Sequence, residues 1–377
     1  MTNLNIDRFG FYSASSGGGG GGAETGVFYV QAITTTMSNT ADISALPTIR
    51  RVPDSIDNVY MASAGSRHIL AIRNFVGGVG GELWVWGLDT TGSIGGATSY
   101  EWTQVGVDSD WSFVSAGGNS SMAIKAGALY ATGAGGSFVF GNGSTANIST
   151  FTQIGVDTDW EMISIADGFS LAVKNGELYS CGSNQNYKTG LNINSGNTQV
   201  WTLVDNTESW SFVNGGRAHA AAVTSDGKLF TWGLNSIGRT VQGTTVGETQ
   251  IPTQVGSDTD WVICTCSNQN TYALKSNGTL YGGGSSNGAI WGNTTSPNTL
   301  TQDSTNATDW KWVMTGSGNS VLAVKNSNTL YGAGLAFGNG LKTNENELKQ
   351  VGTDQNYSTL FYGNNSGFST EIAVIKT

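Results

Sequence analysis

Residues 207–238 read TESWSFVNGGRAHAAAVTSDGKLFTWGLNSIG. Four features follow one another there: a Trp behind an acidic turn (Trp210), a small–aliphatic run through Ala222, an Asp226-Gly227 turn, and an apolar–aromatic pair, Leu229-Phe230. Each run is short and bounded by Gly, Asn or Asp, which predicts strands of about five residues. The same order recurs on both sides. Acidic turns precede Trp111, Trp160, Trp261 and Trp310 as well, and the five Trp residues are spaced 49, 50, 51 and 49 apart. Weaker versions at Val59 and Tyr357 bring the copies to seven.

The remaining landmarks keep step with the Trp. A small–aliphatic run passes through Ala71, Ala123, Ala172, Ala222, Ala273, Ala323 and Ala373. Apolar–aromatic pairs stand at Val27-Phe28, Leu83-Trp84, Leu129-Tyr130, Leu178-Tyr179, Leu229-Phe230, Leu280-Tyr281 and Leu330-Tyr331. A TQVG-like stretch adds a fourth strand, at Gln104-Val105, Gln153-Ile154, Leu203-Val204, Gln254-Val255 and Gln350-Val351. Four strands per copy and seven copies at one period predict an all-β, seven-bladed β-propeller with four-stranded blades.

Asn175-Gly176, Asp226-Gly227 and Asn277-Gly278 separate the second strand from the third, and such pairs favour the type I′ turn of a two-stranded hairpin. The first copy has a longer Gly-rich insertion, Asn74 to Gly81. The last copy ends at Thr377 after two strands, while its missing pair stands near Gly26 to Tyr29 and Pro47 to Arg51. The last blade is therefore expected to be closed by N-terminal strands, which removes two exposed sheet edges. The propeller then spans residues 24–377. Residues 1–23 stand outside it as an N-terminal arm, with an apolar patch at Phe9, Phe11 and Tyr12 ahead of a Gly17 to Gly22 linker.

Composition narrows the function. Gly contributes 55 of 377 residues, charged side chains only 12%, and the net charge is −10. No Lys/Arg run exists to displace counterions from a phosphate backbone, so nucleic acid is a poor partner. No apolar stretch reaches the length of a membrane helix, which argues against membrane insertion. Three Cys are too few for a disulfide framework. Residues 1–12 lack the apolar core of a secretory signal, so synthesis in a host cytoplasm without a signal peptide is expected.

The copies resemble the repeats of the regulator of chromosome condensation family. The resemblance is carried by Asp226-Gly227-Lys228-Leu229 with Trp232-Gly233-Leu234-Asn235 and Gly238, by Gly65-Ser66-Arg67-His68, by Trp86-Gly87, and by Gly215-Gly216 before His219. Trp-Gly is degraded to Thr132-Gly133, Cys181-Gly182 and Gly283-Gly284 in other copies. The resemblance implies the seven-bladed propeller. Family members include a nucleotide exchange factor, chromatin binders and scaffolds, and neither a catalytic wedge nor a basic arm is found on this sequence.

The chemical candidates are all repeat positions. His68 and His219 occupy a slot held elsewhere by Ser120, Phe169 and Asn270, which suits a structural role. Cys264 and Cys266 share one face of a strand, and with one further Cys they do not make a zinc set. The Asp-x-Asp ahead of Trp111, Trp160 and Trp261 reads as turn capping rather than calcium binding, with the Trp packed between neighbouring blades. The G-x-S-x-G at Gly284 to Gly288 lacks a nucleophile-elbow setting. No catalytic, cofactor-binding or metal residue is assigned.

These observations point to a non-enzymatic structural and binding propeller. The expected setting is the surface of a bacteriophage virion, where it decorates capsid or tail. Other virion structural proteins would be its partners, the N-terminal arm its docking element, and host surface glycan a further ligand. The alternatives are an intracellular protein-interaction hub or small-GTPase regulator, and a glycan-binding propeller. Recognition would be built on the longest connections, Gly135 to Ser149, Asn184 to Asn197 and Leu234 to Glu248.

Overall fold

The computed structural model describes residues 27–30, 50–51, 58–363 and 373–376, apart from positions 90, 97, 246, 288, 294, 316–318, 336–343 and 353–356. Strands within a blade are lettered a to d from the ring's centre outward. In blade 4 they are Trp210–Gly215, His219–Thr224, Leu229–Leu234 and Glu248–Gln254, antiparallel throughout. The a strands of the other blades are Val59–Ala64, Trp111–Gly117, Trp160–Ile165, Trp261–Cys266, Trp310–Thr315 and Tyr357–Gly363. Each touches the next around the ring, and that of blade 7 returns to blade 1 through parallel bridges, Tyr362 to Ser63 and Gly363 to Ala64.

Blade 7 is shared between the two ends of the chain. Ala373–Lys376 pairs with Tyr357–Gly363 on one side and with Val27–Val30 on the other, Val27 opposite Lys376 and Val30 opposite Ala373. Tyr29 then pairs with Arg51 of a fourth strand, Arg50–Arg51. This is the pairing the strand order called for.

Burial follows position in the blade. The b strands pack against neighbouring blades on both faces, and His219–Thr224 is buried at every residue. Ala71, Ala123, Ala172, Ala222, Ala273 and Ala323 are fully buried there, small enough for blades to approach closely. The d strand Ile148–Gln153 is partly or fully exposed at every residue, as an outer strand with one solvated side should be.

Side-chain hydrogen bonds join successive a strands from blade 1 to blade 6. Ser63 Oγ accepts from Ala116 N, Ser115 Oγ from Ile165 N, Ser164 Oγ from Gly215 N, and Asn214 Oδ1 from Cys266 N, at 2.7–3.1 Å. Thr265 and Thr315 hydroxyls continue the series at 2.8 Å. A short polar side chain inside an apolar ring is thereby satisfied, as buried polar groups must be.

The hairpin turns divide into two types. Asn175 (φ 50°) and Gly176 (φ 74°) both take positive φ, as a type I′ turn requires. At Asp226-Gly227 and Asn277-Gly278 the I′ expectation fails, because an extra residue (Ser225, Ser276) lengthens the loop. Only the glycine there has positive φ, and Thr224 N–H bonds to the Lys228 carbonyl as Lys275 N–H does to that of Thr279. The geometry is a type I turn followed by a bulge. The Asn74–Gly81 insertion mostly extends its hairpin, with Val76 still opposite Gly80.

The long connections pack against their neighbours. Three lie over the d strand of the following blade, where Gly143 N–H bonds to Gln199 O, Asn192 to Gln250 O and Gly292 to Asn346 O, and a fourth reaches the segment just ahead of one, Gly243 N–H bonding to Asn298 O. An open outer strand invites edge-to-edge association, and these loops cover it.

Candidate functional site

The Trp slot carries a repeated stack. Trp111, Trp160, Trp210, Trp261 and Trp310 are at most 5% exposed. Each meets the ring of its own c strand (Tyr130, Tyr179, Phe230, Tyr281, Tyr331) edge-on at centroid distances of 5.0–5.9 Å. The ring partners are thus within the blade, not between blades. What crosses the boundary is the backbone: Trp160, Trp210, Trp261 and Trp310 donate their N–H to Gly127, Gly176, Gly227 and Gly278 of the preceding hairpin.

The Asp-x-Asp carboxylates serve a different purpose from turn capping. Lys125, Lys174 and Lys275 lie over the Trp and Tyr rings and bond to Asp108, Asp157 and Asp258 at 2.7–2.9 Å. Capping falls to other acids, Asp205 and Asp303, which accept the Trp210 and Trp310 indole N–H at 3.1 and 3.3 Å and local Thr backbone N–H groups. Among the described residues no cluster of three or more His, Cys, Asp or Glu could hold a metal.

Both histidines are fully buried links between blades. His68 Nε2 lies 2.8 Å from Ser121 Oγ and His219 Nε2 lies 3.0 Å from Thr271 Oγ1, in each case on the next blade's b strand. Ser121 and Thr271 in turn donate to the carbonyls of Ser93 and Arg239. Burial lowers the His68 pKa to about 4 and that of His219 to about 3, with nearby Arg239 adding to the latter. Both rings are neutral at pH 7. A Cβ on Gly65 would sit 2.2 Å from the His68 ring, which explains Gly three residues before His.

Cys181, Cys264 and Cys266 are buried without a disulfide, and burial holds all three thiols well up, Cys266 at about 12. Ser286 of the G-x-S-x-G stretch lies in the connection after Leu280–Gly284, with no helix following it. Phe9, Phe11 and Tyr12 lie outside the described residues. No described aromatic side chain is exposed, and no helix among the described residues is long and apolar enough to cross a membrane.

One feature was not legible in the repeat. On the face made by the a–b turns and c–d connections, a cavity of about 370 Å³ opens among blades 3, 4 and 5, lined by Lys188, Arg217, Arg239 and a single carboxylate, Asp167. Lys188 Nζ donates to the Asp167 carbonyl at 2.6 Å. Arg239 reaches Ser236 through Nε and one Nη, and the Asn268 carbonyl through the other Nη. Arg217, more than half exposed, has its Nε 3.6 Å from Asp167 Oδ2. Burial lowers the Lys188 pKa, Asp167 partly restoring it, and brings that of Arg239 to about 10; the positive charge of Arg217 lowers both further. The repeat's own Lys slot, at Lys125, Lys174, Lys275 and Lys325, ends the b strand. These three cations fall outside that slot; Lys188 and Arg239 share another, each four residues after an Asn and closing the 3-10 turn that follows the c strand.

Comparison with known proteins agrees with this architecture. The family model for the regulator of chromosome condensation (RCC1) repeat matches residues 210–238. No curated protein sequence matches the chain. Among solved structures, Prp20p from Saccharomyces cerevisiae, described with its binding to Gsp1p and histones, superposes with a TM-score of 0.78 at 15% identity, over 98% of this chain and 94% of its own. Human WBSCR16 gives 0.75 at 15% identity, over 94% and 99%. Yeast RCC1 (Prp20) bound to Kap60 gives 0.75 at 16%, over 98% and 91%. At such identities the likeness concerns fold. Over residues 210–238 the chain matches the RCC1 repeat, and its fold is that of the RCC1-type β-propellers.

Proposed function

We propose that this chain is a non-enzymatic, protein-binding propeller that serves as a structural component on a bacteriophage particle, decorating capsid or tail and docked through residues 1–23. One observation supports the non-enzymatic part most directly. Both histidines and all three cysteines are buried inside the ring, so the side chains most used for proton transfer and nucleophilic attack do not face a substrate. A weakly charged surface rich in Gly, Ser, Thr and Asn, and the apolar patch Phe9, Phe11 and Tyr12 ahead of a Gly tether, favour the particle setting. Other virion structural proteins would be the partners.

Density-gradient sedimentation of the native lysate tests it. The chain should travel with particles of megadalton size and lose that association when residues 1–23 are removed. Migration of the intact chain as a monomer would overturn the reading.

A second reading, an interaction hub or small-GTPase regulator, is favoured by the full-length likeness to Prp20p, whose structure is described with Gsp1p binding. Acceleration of nucleotide release from a small GTPase of the same source would select it. The glycan-binding reading gains nothing from the described aromatics, none of which is exposed.

A further inference from the structure

We propose that the cavity bounded by Lys188, Arg217 and Arg239 binds a small doubly charged oxyanion, a phosphate or a dicarboxylate. Three cations face one carboxylate there, an excess of two positive charges in a chain of net charge −10. Five lysines on the opposite face of the ring are by contrast matched one by one: Lys125, Lys174, Lys228, Lys275 and Lys325 each stand within 3.0 Å of an Asp or Glu oxygen.

The two buried cations keep donors in reserve. Lys188 has three N–H groups and one bond, and Arg239 five N–H groups and three bonds. Both are only 6–7% exposed, so their charges are poorly screened by water and a desolvated anion is held strongly. Their backbones are fixed: the Trp232 indole donates to the Lys188 carbonyl at 3.0 Å, and the Thr271 hydroxyl to that of Arg239 at 2.7 Å. Arg217, exposed at the rim, can swing from Asp167 to a ligand at little cost. The lowered affinity of Lys188 for its proton has the same origin, and an anion would reverse it. A preorganised site of this kind gives up little side-chain freedom on binding. The proposal goes beyond the virion reading and does not depend on it.

The test uses the full chain, titrated by calorimetry with sodium phosphate and with malonate against sodium chloride at matched ionic strength near neutral pH. Saturable binding of at least one dianion is expected, with a rise in melting temperature. Arg217→Ala should weaken it about tenfold, the scale of one charge-assisted hydrogen bond, without changing the ligand-free melting temperature. Arg239→Gln should abolish it. Phosphate saturating at lower concentration than malonate would name the tetrahedral ligand, and the reverse order the carboxylate. Absence of binding beyond chloride, or unchanged affinity in Arg217→Ala, would overturn the site. Particle association should be indifferent to Arg217→Ala, so the two readings fail separately.

Discussion

The backbone N–H of Trp261 donates to the carbonyl of Gly227, 3.0 Å away across the boundary between blades 4 and 5. The hairpin tip of one blade is thereby seated against the acidic turn of the next, and a Cβ on Gly227 would lie 2.2 Å from the Thr259 carbonyl oxygen. Gly227 also has φ +81°.

Gly227→Ala therefore meets both a backbone clash and left-handed strain, and should lower stability by about 2–4 kcal/mol. Gly256, with φ +64° and nothing within 4 Å of its Cβ position, isolates the strain alone. Gly256→Ala should cost about 1 kcal/mol. Urea unfolding of both variants checks the difference, and equal losses would contradict the inter-blade contact.

Acid sensitivity should come in part from the histidines. Their folded pKa values, about 4 and about 3, lie below the unfolded value of 6.5. The unfolded chain consequently binds protons that the native ring refuses, and stability falls as pH drops from about 6.5 toward 4. The loss by pH 4 should be about 3 kcal/mol per histidine as an order of magnitude. A His68→Gln, His219→Gln double variant should show a flatter pH–stability curve over that interval, measured by urea unfolding at each pH. A curve as steep as that of the parent would show that the rings do not titrate this way.

Blade 7 makes the ring dependent on both ends of the chain. Deleting residues 24–51 removes Val27–Val30, which pairs with Ala373–Lys376, together with its outer neighbour Arg50–Arg51, and reopens a sheet edge. The truncated chain should lose the single cooperative melting transition and aggregate, as repeat arrays with uncapped ends do. Calorimetry would reveal a retained transition if the closure were dispensable.

The Trp–Lys–Asp stack separates packing from charge. Trp261→Ala should cost about 3–5 kcal/mol, as expected for emptying a buried aromatic site. Asp258→Asn should cost no more than about 1 kcal/mol, since Asp258 is half exposed and Lys275 keeps Asp260 at 2.9 Å. Raised salt should narrow the gap between Asp258→Asn and the parent while leaving the Trp261→Ala loss unchanged.

The fold was largely legible because its determinants are local and repeated. Seven registers of one Trp-type slot (Trp in five of them), one Ala and one aromatic pair specify strand order, and the two unmatched strands at either end specify who closes the ring. The turn at Asn175-Gly176 was readable for the same reason. The turns at Gly227 and Gly278 were not, because one added residue changes the hairpin class without disturbing the motif.

The repeat period by itself determined the number of blades, their strand order and the partner of the last strand, since each follows from spacing along the chain. Tertiary structure alone decided what the side chains do. His68 and His219 reach hydroxyls about 50 residues away; three long connections lie on a neighbour's outer strand. Lys188 and Arg239 hold one and the same place in two successive copies, closing the short 3-10 turn after the c strand, and they meet Arg217 of an a–b turn only because successive blades converge on the ring's axis. Periodicity encodes which slots recur, whereas the charges that fill them vary from copy to copy, and only the closed ring brings the slots of different blades together.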